Sequence, residues 1–193
     1  NVSFYNGTNN NNIFPTPVIG GVGLIKNLKK IQNHRFKKID SKILIIGKTF
    51  GHLGQSVLIN EMYNLNDGMP PDVNLLNERN NGEMVLKLIN EGIINSVHDI
   101  STGGIILALA EMSLSSQIGI KILKPKKLFN IFEYFFGEDQ SRYIVEVDKN
   151  NYSKIEKLLE DNNIYFENIG VTQKDHFELD KDLKTSVKEL YEM

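Results

Sequence analysis

The sequence predicts an α/β fold of the α+β sandwich type, in which helices cover a mixed sheet. Short apolar or alternating segments, typical of strands, take turns along the chain with longer segments whose apolar residues recur at helical spacing. Of the 193 residues, 40% are hydrophobic, which is enough apolar side chain for the core of one domain of ordinary size.

Each element follows from a local pattern. The run KILIIG at 42–47 predicts a strand buried on both faces, and residues 74–91 repeat apolar side chains at helical spacing before Gly92, a suitable helix end. The expected strands are 16–25 (interrupted by glycines), 42–47, 93–100, 119–123, 142–147 and 165–172. The expected helices are 52–63, 74–91, 103–115, 127–135, 150–162 and 182–192.

A lysine-rich polar stretch at 26–41 is the best candidate for a domain boundary. It divides the chain into residues 1–25, the tail of a preceding domain, a linker at 26–41, and the main α/β domain at 42–193. The sequence opens inside a motif and without Met, so we expect it to be a piece of a longer protein.

Composition excludes several classes of function. The net charge is −2 with acids and bases interspersed, which gives no basic face for nucleic acid. No apolar run approaches the roughly 20 residues that cross a bilayer, and the first residues do not form a signal peptide, so we expect a cytoplasmic protein with no membrane partner. The absence of cysteine excludes disulfides, thiolate zinc sites and a cysteine nucleophile.

The segment HDISTGG at 98–104 lies between an expected strand and an expected helix. Backbone N–H groups of Gly103 and Gly104 at the helix start, with the Ser101 hydroxyl, would suit a phosphate group. Alternatively, Asp99 and Ser101 cap the helix and no ligand binds there. The residues alone leave both interpretations open.

The segment FGEDQSR at 136–142 concentrates Glu138, Asp139, Gln140 and Arg142 just before a strand. Its carboxylates could hold Mg²⁺ or receive a sugar hydroxyl, and Arg142 could bind phosphate through two hydrogen bonds. The alternative is a solvated turn with an arginine–carboxylate pair. The glycine-rich segment 47–56 lacks the Gly-Lys-Ser/Thr ending of a P-loop, and its glycines are interpreted as packing residues.

Taken together and in order, seven segments resemble phosphoribosylformylglycinamidine synthase of the small-subunit type, a family of the aminoimidazole ribonucleotide synthetase-like superfamily. The segments are 1–6 (NVSFYN), 15–23 (PTPVIGGVG), 51–56 (GHLGQS), 70–75 (PPDVNL), 98–104, 108–112 (ALAEM) and 136–142. The similarity runs from residue 1 to about residue 172, and it identifies the main domain as the C-terminal domain of that fold.

The resemblance implies a ligase of purine biosynthesis that uses ATP and Mg²⁺. Such an enzyme converts formylglycinamide ribonucleotide and ammonia to formylglycinamidine ribonucleotide, ADP and phosphate. The implied partners are the rest of the synthetase subunit, a separate glutaminase subunit that supplies ammonia, and a small bridging subunit. The piece alone is expected to be inactive and to contain no catalytic residue.

By the same resemblance, Asn1 matches a Mg²⁺ ligand and Ser3 a substrate-binding serine. Glu138, Asp139 and Gln140 match, through an internal duplication, a substrate-binding trio of the first half, although here they could face an auxiliary nucleotide site. Two other functions remain open: another member of the same ATP-dependent superfamily, or a non-catalytic interaction domain whose glycines serve packing only.

Overall fold

A seven-stranded sheet dominates the structure, a computed structural model that describes residues 7–8, 11–12, 20–25, 27–65, 67–125 and 130–192. The strands are β1 (Gly7–Thr8), β2 (Asn11–Asn12), β3 (Lys42–Ile46), β4 (Ser96–Asp99), β5 (Gly119–Ile122), β6 (Tyr143–Val147), β7 (Phe166–Gln173), β8 (His176–Leu179) and β9 (Leu183–Ser186). The helices are α1 (Val57–Tyr63), α2 (Leu75–Glu91), α3 (Gly104–Ser116), α4 (Ile131–Phe136), α5 (Tyr152–Asp161) and α6 (Val187–Glu192).

The sheet is mixed, as expected, and its strand order is β4-β6-β3-β7-β5-β8-β9. All neighbouring strands are antiparallel except β5 and β8, which are parallel. Strands β1 and β2 form a separate antiparallel pair. None of the described helices is both long and apolar enough to span a membrane.

Helices cover both faces of the sheet, because alternate side chains of the central strand β3 point to opposite sides. Ile43 and Ile45 belong to one core cluster, which includes α3 and α4. Leu44 and Ile46 belong to a second cluster, which includes α2 and α5. The four side chains are at most 1% exposed, which explains the continuous apolar run of this strand.

The segment before β3 is bonded to the domain. The carboxylate of Glu146, fully buried in β6, accepts hydrogen bonds from the backbone N–H groups of Lys37 (2.8 Å) and Lys38 (3.0 Å). The Asn33 carbonyl accepts from the Val97 N–H of edge strand β4 (3.1 Å), and Phe36 is buried in the α3 cluster. Residues 33–38, assigned from sequence to a linker, therefore contribute to the core and cover a sheet edge.

Most expected elements are confirmed to within a few residues, and Gly92 ends α2 in the left-handed conformation (φ 65°). The expected helix 52–63 begins only at Val57, because the backbone N–H groups of residues 50–52 bind a carboxylate instead. Of the expected strand 16–25, residues 20–25 are described and are irregular and exposed. Residues 127–129 of the expected helix 127–135 lie outside the described residues, and α4 begins at Ile131.

The prediction for the C-terminus is wrong. Instead of a helix over 182–192, β9 precedes α6, and β8 was not expected. Strand β9 pairs with β8 across a tight turn at Asp180 (φ 44°), and β8 pairs with β5. This pairing outweighs the local preference of a segment rich in Lys, Asp and Leu.

Candidate ligand-binding cleft

The loop after β3 wraps around one buried carboxylate. Asp139 Oδ2 accepts hydrogen bonds from the backbone N–H groups of Phe50 and Gly51, both at 2.9 Å, and Oδ1 accepts from His52 N–H at 3.2 Å. Asp139 is 5% exposed. Its oxygens therefore position the loop of residues 47–56, and they do not face a ligand as the substrate-trio assignment implied.

Arg142 holds the same loops together through buried hydrogen bonds. Its guanidinium is 1% exposed and donates to the carbonyl oxygens of Gly137 (2.6 Å) and Asp139 (3.0 Å) and to Thr49 Oγ1 (3.2 Å). Burial lowers the pKa of Arg142, and the charge of Asp139, with Oδ2 at 3.6 Å from Nη1, acts in the opposite direction. The prediction that Arg142 clamps phosphate is therefore corrected, because its donors hold protein oxygens away from solvent. Of the alternative, a solvated turn with an arginine–carboxylate pair, the pair is present but both of its members are buried.

Glu138 occupies the place expected for an anion. Its Oε1 accepts from the Gly103 N–H at 2.8 Å and from the Val57 N–H at 2.9 Å, at the starts of α3 and α1. The Gly104 N–H donates to the Ser101 carbonyl at 3.1 Å. A carboxylate at two helix starts is stabilised by the backbone N–H groups and the positive end of the helix dipole, which would stabilise a bound phosphate in the same way. The phosphate site predicted at Gly103 and Gly104 is therefore corrected, since its donors already have protein partners.

The capping alternative is also wrong. No side chain caps α3, whose N-cap position is Gly103, and Asp99 instead contacts His98 Nδ1 at 3.2 Å. Gly104 has φ 70°, and a Cβ there would lie 2.7 Å from the Phe135 carbonyl oxygen. Gly104 is thus required by the close approach of α3 to the end of α4, whereas a Cβ at Gly103 (φ 79°) would meet the Leu107 side chain of α3 itself. Ser101 is exposed.

Above these loops lies an open cleft of about 630 Å³. It is bounded by the loop after β3, by residues 71–81 at the start of α2, and by residues 133 and 139–141. Gln140, a predicted site residue, lines this cleft, whereas Glu138, Gly103, Gly104 and Arg142 do not. The other side chains that matter for its chemistry are Lys48, Phe50, His52, Asn74, Asn77 and Asn81.

Several of these polar groups maintain the shape of the cleft. Asn81 is buried and donates from Nδ2 to the carbonyl of Ser141 (2.8 Å), a residue with φ 62°. Asn74 Oδ1 caps α2 by accepting from two backbone N–H groups. His52 Nε2 donates to the Met69 carbonyl at 2.7 Å. The polar side chains of the lining that have no hydrogen bond to a described residue are those of Lys48, Asp72, Asn77, Glu133, Gln140 and Ser141.

The cleft combines a cation with carboxylates, amides and an aromatic ring, since Asp72 and Glu133 line it together with Lys48. Lys48 Nζ lies 5.0 Å from the centroid of the Phe50 ring, which is 64% exposed. Such a lining suits a polar organic ligand with hydroxyl or amide groups better than an apolar molecule. Sequence reasoning missed Asn77 and Asn81, although the spacing of Asn74, Asn77 and Asn81 on one helix face was a usable signal.

The predicted Mg²⁺ ligand Asn1 and the predicted substrate residue Ser3 both lie outside the described residues. Within the described ranges, no group of three or more His, Asp or Glu side chains is arranged to hold a metal ion. A Mg²⁺ site therefore has no donor set in the described part of the cleft, and no chemical step is derived through the metal.

Residues 38–181 match the protein family described as "AIR synthase related protein, C-terminal domain". The chain belongs to this family. Among its curated relatives is phosphoribosylformylglycinamidine synthase subunit PurL of Pelagibacter ubique (strain HTCC1062), 46% identical over 190 residues, or 98% of this chain and 26% of the relative. The PurL subunit of Bradyrhizobium diazoefficiens is 44% identical over 155 residues, covering 80% of this chain and 21% of that protein.

The chain thus spans about a quarter of the length of the curated relatives it matches. The resemblance drawn from the seven segments is confirmed by these relatives.

Solved structures of the same family share the fold. T. maritima PurL complexed with FGAR gives a TM-score of 0.71 at 16% identity, covering 84% of this chain and 30% of that chain. T. maritima PurL complexed with ATP gives a TM-score of 0.65 at 15% identity, and the match covers 84% of this chain and 27% of that chain. PurLQS from Thermotoga maritima also gives a TM-score of 0.65, at 16% identity, and the match covers 84% of this chain and 28% of that chain. The expected α/β fold is confirmed, and at these identities the likeness concerns the fold alone.

Proposed function

We propose that this chain is the C-terminal part of a PurL-type synthetase subunit. The whole subunit would convert formylglycinamide ribonucleotide, ATP and ammonia to formylglycinamidine ribonucleotide, ADP and phosphate. The observation that carries the proposal is the 46% identity to the Pelagibacter ubique PurL subunit along 98% of this chain. A match of that extent spans the loops around the cleft as well as the core.

Within such a subunit, this chain would provide binding and support and not the reacting groups. The loops at 47–56 and 137–142 are rigidly bonded to each other through Asp139, Glu138 and Arg142. They hold Lys48 and Gln140 at the cleft, where an ammonium and an amide suit a phosphorylated ligand. A ligand bound there would be oriented by a surface that needs little rearrangement.

The remaining roles follow from the same proposal. ATP supplies the phosphoryl group that activates the amide oxygen, and ammonia then displaces that oxygen as phosphate. Mg²⁺ accompanies the nucleotide. Asn1 is the candidate metal ligand and Ser3 the candidate substrate-binding residue. The partners are the rest of the subunit, a glutaminase subunit and a bridging subunit, in the cytoplasm. The two structural neighbours bound to FGAR and to ATP, and PurLQS, support these roles.

A chimeric enzyme tests the proposal. The matched stretch of the Pelagibacter ubique PurL subunit is replaced by this chain, and ATP- and ammonia-dependent product formation is followed by ADP release and mass spectrometry. We expect activity within about tenfold of the parent, a loss of about 1.4 kcal/mol or less in transition-state stabilisation.

The controls are the parent lacking the matched stretch and this chain alone, both of which we expect to be inactive. A chimera that folds, by circular dichroism and size-exclusion chromatography, but forms no product would overturn the proposal. Product formed by this chain alone would overturn the division of roles.

A further inference from the structure

Helix α1 is almost unsupported by the domain on which it sits. None of its seven residues is buried, although the helix is largely apolar. Met62 is 73% exposed, Tyr63 65% and Leu65, just beyond the helix, 52%. Large apolar side chains in water at this density mark a surface that is covered in the working protein.

The exposed apolar residues continue to the start of α2. Leu65 N–H bonds to the Ile59 carbonyl, and Gln55 N–H bonds to the Asp67 carbonyl, so the chain folds back beside the start of α1. Met69, Leu75 and Leu76 are then 78%, 78% and 65% exposed. We call residues 57–65 and 67–76 the α1 surface. It adjoins the cleft, because Asn74 and Asn77 of the same helix turn line that cleft.

The charges beside the α1 surface are of one sign. Glu61, Asp67 and Asp72 lie within it, and Glu78 follows one turn later. None of these four carboxylates forms an ion pair with a described residue, and the adjacent Arg79 is bonded to Glu83 at 2.8 Å. An apolar surface with an acidic border fits a partner surface of apolar side chains bordered by Lys or Arg.

A second copy of the chain does not meet this requirement. In a twofold dimer the same surface faces itself, so the carboxylates of one copy would meet those of the other. Like charges held across an interface are repulsive, and neither Glu61 nor Asp72 forms an ion pair with a described residue that would compensate its charge. The occupant must therefore be a different surface.

We propose that the remainder of the synthetase subunit docks on this domain at the α1 surface. This proposal rests on the proposed function. The chain spans about a quarter of its PurL relatives, so a polypeptide three times its size accompanies the matched part. That remainder presents an apolar surface bordered by basic side chains. Docking there also brings it to one wall of the cleft, so the cleft is completed by residues from outside this chain.

Cysteine labelling tests the docking directly, because the chain has no native cysteine. Met62→Cys is made in this chain and in the chimeric subunit, and its reaction with a maleimide is followed by mass spectrometry of the peptide. We expect labelling at least about tenfold slower in the chimera than in the chain alone, since a covered thiol reacts slowly. The matched control is Lys157→Cys on the exposed face of α5, which we expect to react equally in both proteins.

Reversing the border charges gives a second measurement. Glu61→Lys with Asp72→Lys, added to the Met62→Cys chimera, is expected to restore fast labelling, whereas Glu160→Lys on α5 is not. Equal labelling of position 62 in chimera and isolated chain overturns the docking proposal. So does protection of position 62 in the isolated chain that grows with its concentration, because that result assigns the surface to a second copy.

Labelling needs no catalysis, so its outcome is separate from the activity of the chimera. An active chimera with an unprotected position 62 overturns the docking surface and leaves the proposed function standing. A folded but inactive chimera overturns the proposed function, and the labelling rates then still decide whether the α1 surface is covered.

Discussion

Glu138 Oε1 lies 2.8 Å from the backbone nitrogen of Gly103, and this contact joins the loop before β6 to the start of α3. The same oxygen holds the start of α1 through Val57, 2.9 Å away. One carboxylate thus serves two helix starts and occupies the Gly103 N–H group that was expected to bind a phosphate. The following predictions depend on this bonding around residues 137–142.

Glu138→Ala removes the acceptor of both N–H groups. Hydrogen bonds to charged groups contribute about 1.5–3 kcal/mol each, or about 3–6 kcal/mol for the two. Because Glu138 is only half-buried, we expect the free energy of unfolding to fall by less, roughly 2–4 kcal/mol. Urea denaturation followed by circular dichroism measures it. Glu160→Ala, at an exposed position of α5, serves as the control and should change stability by less than about 0.5 kcal/mol. A change at Glu138 as small as that of the control would show that water replaces the carboxylate without cost.

Gly104→Ala is expected to destabilise the domain more than Gly92→Ala. Both glycines have positive φ, which costs an alanine roughly 1–2 kcal/mol. At Gly92 nothing lies within 4 Å of the added Cβ, whereas at Gly104 the Phe135 carbonyl oxygen is 2.7 Å away. The clash adds about 1–3 kcal/mol. Comparing the two unfolding free energies isolates the cost of the clash, and equal values would contradict the close packing of α3 on α4.

Arg142→Met should cost about 3–5 kcal/mol of stability, because it leaves buried carbonyl oxygens and the Asp139 carboxylate without their cationic partner. Arg142→Lys is expected to lose somewhat less stability than Arg142→Met but not to match the parent, since an ammonium cannot reproduce the planar set of donors. Thermal and urea unfolding measure both variants. Arg79→Lys, an exposed helical position, is the control. If Arg142→Met kept full stability and lost only ligand affinity in the chimera, the phosphate-clamp interpretation would return.

Stability should fall at alkaline pH through Tyr134. Burial, reinforced by the Glu167 carboxylate that accepts its hydroxyl at 2.8 Å, raises the pKa of Tyr134 well above its usual range. The unfolded tyrosine ionises near pH 10 while the folded one keeps its proton, so the unfolded state binds fewer protons. The unfolding free energy then decreases by up to about 1.4 kcal/mol per pH unit above that value.

The measurement for Tyr134 is urea unfolding at several pH values between about 8 and 11, where free tyrosine titrates. Tyr134→Phe should be less stable than the parent near neutral pH, because Glu167 loses its donor, but should show a shallower decline at high pH. Parallel pH profiles for the two proteins would refute the assignment.

The sequence predicted the elements whose pattern is local. The apolar run 42–46, the periodicity of α2 and the end of that helix at Gly92 depend on residues close together in the chain. Strands β8 and β9 could not be predicted in this way, because β8 is stabilised by pairing with β5, more than fifty residues earlier. The late start of α1 has a similar cause, since Asp139 binds the preceding loop from a distance of 88 residues.

The functional site shows the same limit. In the motif GEDQ, the carboxylates of Glu138 and Asp139 accept hydrogen bonds from backbone N–H groups, whereas the Gln140 side chain is exposed at the cleft. Composition cannot show which of three adjacent polar residues points to solvent. Lys48 and Asn77 were missed because no short motif contains both of them, and only the fold brings them to one cleft.

The covering of β4 has a consequence for how the molecule behaves in concentrated solution. An uncovered strand edge is a template on which another chain can add a strand and start an aggregate. At one end of the sheet, residues 33–38 cross that edge, with the Asn33 carbonyl already bonded to Val97. At the other end, β9 is short and carries Lys184. Loss of residues 33–38 by proteolysis would therefore expose the β4 edge and leave the domain prone to association through its sheet.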